Sequence, residues 1–184
     1  MAGTSAALVP RVGARPLLLA GSAITTVGMF WLSRITEHSS YVGGLLGPML
    51  VTAAGLGLLF MPATLVALSK VEDADAGLAS SLLNTGQQVG GSIGLALLGT
   101  VAWTVVANTA KNSAAAAAAA ARAGHPLHGT AAQVKAAIYD HALAVGFSHG
   151  FEVSAGIALI ALIITIAMIR VKREDLAGVQ PMPV

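Results

Sequence analysis

Polar and apolar positions in this chain come in blocks rather than in alternation. Lys, Arg, Asp and Glu are absent from His38 to Ser69 and again from Ala76 to Ala110. About 20 apolar residues, rising 1.5 Å each in a helix, cross the hydrocarbon of a bilayer. Both blocks are long enough. Two more apolar stretches complete the pattern, one ending on Phe30-Trp31 and one clean from Val153 to Ile169. The blocks predict four spans at residues 16–33, 42–68, 80–107 and 143–169, making 16–169 a four-helix transmembrane region. Segment 1–15 precedes it, an outer loop covers 108–142, and a tail covers 170–184. Within lipid only helices or closed barrels satisfy the backbone, and the alternating runs of a barrel are missing. The expected class is an all-α membrane protein. The first span is not read as a cleaved signal, because it exceeds the usual apolar length and no A-x-A site follows it.

The connecting segments carry weaker signals. Ala114 to Ala121 is an unbroken alanine run that Asn112-Ser113 could cap. Alanine is the best helix former but too weakly apolar to make a span, so the run reads as low-complexity loop filler. Gly124 and Pro126 break it. Thr130-Ala-Ala-Gln133 then has the form of a capping box, with Val134, Ile138, Ala142 and Val145 at helical spacing leading into the fourth span. Pro181 and Pro183 mark a tail expected to be disordered.

Composition agrees with the pattern. Only 10% of residues are charged, against about 25% in soluble domains. Lys and Arg then set the orientation. Arg11, Arg15, Lys70, Arg170, Lys172 and Arg173 cluster at span ends on one side, whereas Arg34, Lys111, Arg122 and Lys135 are scattered on the other. Both termini are therefore expected in the cytoplasm, with the chain multi-pass in the plasma membrane. The expected partner is the lipid bilayer, and the net charge of +2 reflects the cytoplasmic flanks and needs no nucleic acid. The chain has no cysteine, which removes disulfides and thiolate metal sites.

The third span mixes two unusual ingredients. Gly86, Gly90 and Gly94 recur every four residues, with Gly91 beside them, and Asn84, Gln87 and Gln88 lie in the same uncharged stretch. Hydrophobicity gives little drive between helices in lipid, so small residues that let backbones approach provide the packing. Buried amides there need protein or water partners. The glycines are candidate packing or sliding-interface residues, and the amides candidate cavity or interhelix contacts. In the second span, Gly55, Gly57 and Pro62 are candidate cavity-lining helix breaks, since such breaks are tolerated where neighbours or a cavity satisfy the freed backbone.

Other chemistry is thin. Glu152 is an ionisable candidate by its position in a span, with an interfacial or loop-pairing role the competing reading. Gly146-Phe-Ser-His-Gly150 matches G-x-S-x-G in letters, but a nucleophile elbow needs a preceding strand and a later His, and no His follows His149. Gly55-Leu-Gly57 lacks the third glycine of a dinucleotide fingerprint and no P-loop is present. His125 and His128 have no metal-site spacing. No enzyme, catalytic residue, metal or cofactor is expected.

The stretch Val71 to Val101, VEDADAGLASSLLNTGQQVGGSIGLALLGTV, closely resembles the penultimate-span signature of the fourteen-span drug:proton antiporters of the major facilitator superfamily, the EmrB/QacA type. Gly13-Ala-Arg-Pro16, within Leu8 to Gly21, is similar to the entry to that family's eleventh span, and Gly47 to Ala63 to its twelfth. Ser81 departs from a frequent family glycine. The resemblance implies the last four spans of such a transporter: the second lining the central cavity, the third between the two bundles, the first and fourth peripheral. It also implies a fragment of a proton-coupled multidrug or secondary-metabolite exporter, inactive alone. Partners would be the remaining spans, protons and an amphipathic small molecule. The competing expectation is a self-contained four-span protein that pairs with another copy of itself through the Gly86/Gly90/Gly94 face, as a small transporter or assembly partner.

Overall fold

The computed structural model describes residues 9, 12–69, 71–125 and 128–168. Arg11, Lys70, Pro126 and the tail 170–184, used above for orientation and boundaries, lie outside the described residues. Four long helices and no strand occur among the described residues, and each is long and apolar enough to cross a membrane. The protein is an all-α, multi-pass membrane protein.

Helix α1, Ala14–Leu32, starts after Gly13, whose φ of 90° suits a residue without a Cβ. Its buried residues Ala14, Leu17, Gly21, Thr25, Gly28 and Leu32 recur every three to four positions, giving one face of mostly small side chains. Helix α2 opens with one wide π-turn, Tyr41–Leu45, and continues as Leu46–Leu68. Ser40 caps the turn by accepting from the Gly43 N–H at 3.1 Å. Pro62 does not break the helix, and it is fully buried, as is Pro48.

A single 3₁₀ turn, Asp73–Asp75, leads into helix α3, Ala76–Arg122. At 1.5 Å per residue its 47 residues reach about 70 Å, more than twice the hydrocarbon thickness. The alanine run expected as loop filler is thus helical, and Asn112-Ser113 lie inside the helix without interrupting it. The cause is propensity: nothing between Ala76 and Gly124 removes a helical hydrogen bond, and alanine favours the helix without needing a buried face. The stop comes at Gly124, in the left-handed region at φ 81°, where the His125 N–H returns to the Ala120 carbonyl at 2.9 Å.

Helix α4, Ala131–Met168, opens on the expected capping box. The Thr130 N–H donates to Gln133 Oε1 at 2.8 Å and the Gln133 N–H to Thr130 Oγ1 at 3.3 Å. The segment 108–142 is therefore mostly a helical hairpin. It continues α3 and leads into α4 for about 20 Å beyond the expected spans.

The packing order differs from the chain order. α1 packs on α2, α1 on α4 and α4 on α3, whereas the consecutive helices α2 and α3 barely meet. The bundle is an open array, α2–α1–α4–α3, with its two outer helices free on their far sides.

Candidate functional site

Close helix contact is built at α1–α2. A Cβ on Gly55 would stand 2.6 Å from the Thr25 backbone nitrogen and 2.9 Å from the Gly21 carbonyl oxygen. One on Gly28 would meet the Thr52 backbone nitrogen at 2.8 Å as well as the Thr52 hydroxyl. Gly21, Thr25 and Gly28 therefore interlock with Thr52, Gly55 and Leu59, the small-residue contact that substitutes for hydrophobic drive in lipid. Thr25 Oγ1 returns its hydrogen to the Gly21 carbonyl at 2.8 Å, but buried Thr52 Oγ1 has no hydrogen-bond partner among the described residues.

This placement revises the expectation for α2. Pro48, Thr52, Gly55 and Pro62 are its buried residues and share one stripe, the stripe laid on α1. Gly55 and Pro62 thus lie on the packed stripe, and the helix is continuous through both rather than broken. Gly57, half-buried, is two residues and so about 200° further round. The side of α2 away from α1 is apolar and exposed, with Leu50, Leu56 and Phe60 upon it.

The C-terminal half of α3 is anchored. Ala102 and Val106 are buried against Gly146 of α4, where a Cβ would stand 2.7 Å from the Ala102 carbonyl oxygen and would run into the Val106 side chain. Trp103 and Phe147 stack edge to face at 6.3 Å between centroids. The N-terminal half of α3 is different. Nothing lies within 4 Å of a Cβ on Gly86, Gly90, Gly91 or Gly94. Asn84, Gln87 and Gln88 are exposed, and their side chains make no hydrogen bond among the described residues. Leu82, Val89, Ile93 and Leu95 are 52–74% exposed beside them. The structure thus brings the candidate glycines and amides together on one free helix segment and gives them no partner within the described residues.

Glu152 is exposed on α4, two residues beyond Gly150, which sits against Ala102. It directly precedes the clean apolar stretch that starts at Val153 and makes no ion pair among the described residues. The described residues contain no group of three metal-ligating side chains.

Sequence reasoning missed the polar seam between α1 and α4. Arg15 Nη2 donates to the Ile166 carbonyl at 3.4 Å, the Ser148 hydroxyl donates to the Ser33 carbonyl, and His141 Nδ1 lies 3.2 Å from Glu37 Oε2. Hydrogen bonds from its own backbone N–H and then from His141 hold the Glu37 carboxyl below the usual carboxylate range. The depression is of the stabilising kind. It contributes above the ordinary carboxylate pKa and is lost as pH falls through the lowered one.

Comparison with known proteins now bears on the open faces. Over 94 residues the chain is 46% identical to the cephamycin export protein CmcT of Amycolatopsis lactamdurans, covering 51% of this chain and 19% of that protein. Over 150 residues it is 30% identical to the puromycin resistance protein pur8 of Streptomyces alboniger, covering 79% of this chain and 27% of that one. It is also 37% identical over 98 residues to the multidrug resistance protein Stp of Mycobacterium tuberculosis, covering 52% and 18%. Its relatives are export and drug-resistance proteins. The chain spans about a fifth to a quarter of the length of these relatives. No family model matches the chain, and no solved structure does.

Proposed function

We propose that the chain is part of a proton-coupled efflux transporter of the major facilitator superfamily that exports amphipathic drugs or secondary metabolites by alternating access. The observation that carries this reading is the similarity to a resistance protein across 79% of the chain. The open array supports it, because each outer helix offers a free face to further spans. In this reading those spans cover the N-terminal half of α3, pairing with Asn84, Gln87 and Gln88 and closing on Gly86, Gly90 and Gly94. They also complete a cavity along the free side of α2. Gly57 and the substrate meet there, and the plasma membrane holds the assembly with both termini cytoplasmic.

Two measurements test the reading. Proteoliposomes carrying these four helices alone should move no amphipathic dye under an imposed proton gradient, because the cavity is incomplete. Gradient-driven transport by the chain alone would overturn the proposal. The aligned 150-residue region, grafted into the puromycin resistance protein, should keep resistance above the empty-vector level, and a well-inserted but inactive chimera would count against it. The rival reading, a self-pairing four-span protein, rests on the same open glycines. It requires a dimer of the purified chain that Gly90→Leu abolishes.

A further inference from the structure

The loop between α1 and α2 is a fixed piece of structure. The Ser39 N–H donates to the Thr36 carbonyl at 3.0 Å, the Thr36 N–H donates to Ser39 Oγ at 3.0 Å, and Ser40 caps the π-turn that follows. Arg34 is held over the Phe30 ring at 4.9 Å. The loop thereby presents Glu37 to α4 in a set position. α4 is gripped twice by this corner of the molecule, at Ser148 through the Ser33 carbonyl and at His141 through the Glu37 carboxylate. Residues 141 and 148 are seven apart, two turns and about 10 Å along one face of the helix. His141 stands where the apolar part of α4 begins and the projecting hairpin ends.

We propose that Glu37 and His141 form a pH-sensitive strap that fastens α4 to the end of α1. With a neutral imidazole the contact is a single hydrogen bond. When the ring takes a proton both nitrogens donate and the hydrogen bond to the carboxylate gains the attraction between opposite charges. Glu37, whose carboxyl pKa is lowered, remains an ionised acceptor when the ring takes its proton. Below that value the carboxylate is protonated and the strap loosens. The charged and titratable groups around the pair are few. His38 Nε2 lies 3.9 Å from Glu37 Oε1 but is 90% exposed. Arg34 is turned onto Phe30, and Asp140 precedes His141 on α4. The second grip, Ser148 on the Ser33 carbonyl, does not titrate and keeps the two helices in register whichever state the strap is in. The strap goes beyond the transport proposal and does not depend on it.

The chain lacks cysteine, so Val42→Cys and Ala137→Cys give one clean pair of spin labels across the corner. The full chain in lipid nanodiscs is measured by pulsed electron resonance at about pH 8 and about pH 5.5, on either side of the ordinary imidazole range. The short-distance population is expected to rise at least twofold in acid. His141→Gln, which keeps a hydrogen-bond donor without the charge, and Glu37→Gln should each remove that rise while leaving the alkaline distribution in place. The labelled parent alone already decides: a distribution that does not change with pH overturns the strap. An unchanged acid response in His141→Gln or Glu37→Gln overturns it equally, and assigns the response to His38 or another group.

Discussion

Gly55 and Gly90 look alike in the sequence and meet opposite surroundings. Gly55 faces the backbone of α1, which cannot retreat, so Gly55→Ala should lose about 1–3 kcal/mol of stability. Gly90 faces open space, so Gly90→Ala in the chain alone should be neutral or gain up to about 1 kcal/mol from helix propensity. Reversible unfolding in mixed micelles, followed by far-ultraviolet circular dichroism, separates the two. If further spans close on α3 as proposed, the sign at Gly90 reverses in the complete transporter. Thr52 gives a third contrast. Its buried hydroxyl has no partner among the described residues, so the isosteric Thr52→Val should cost nothing and can stabilise, because it removes an unsatisfied donor rather than a bond. Melting of that variant below the parent would show that the hydroxyl has a partner after all. Glycine spacing alone could not rank these positions. It reports that close approach is permitted, and only the packed neighbour tells whether it is used.

At the scale of elements, the four helices and the start of α4 were readable because each has a local physical cause. Charge-free length marks the spans, and the reciprocal bonds of Thr130 and Gln133 mark a helix start. The reach of α3 was not readable from hydropathy, since alanine is nearly neutral on that scale while being the strongest helix former. A run judged by how it partitions into lipid looks like loop, and the same run judged by propensity is helix. The projecting hairpin should therefore be separable from the spans. Ala116→Pro, at an exposed position of α3, removes one helical hydrogen bond and clashes with the turn before it, costing about 3 kcal/mol locally. The expected result is lower helicity with unchanged protection of the spans from protease, and loss of membrane insertion would contradict it. Pro62 shows the contrast within the same chain, buried against α1 in a helix that continues past it. What the sequence could not reveal about the candidate site is its partner, because the amides and glycines of α3 find none among the described residues.

Across the whole molecule the contacts are unequal. α1 and α2 interlock backbone to backbone, α3 and α4 meet through Val106, Ala102 and Gly146, and α1 and α4 share the polar contacts at Arg15, Ser33 and Glu37. A dye pair across α1–α2 should therefore separate at a higher denaturant fraction than a pair across α1–α4, and coincident separation would show one cooperative unit instead. The open array carries a further consequence for how the protein is made. Each tight pair joins helices that leave the ribosome one after the other, so each can close as a hairpin while synthesis continues. The seam between them joins Arg15 to Ile166, across almost the whole chain, and such long-range closure is slow because the intervening loop entropy must be overcome first. The nascent protein is thus two hairpins waiting to be joined. Until α4 has been synthesised, the side of α1 that receives it, with Arg15 at one end and the Ser33 carbonyl at the other, stands uncovered in the membrane, where insertion factors or quality-control proteases meet it first.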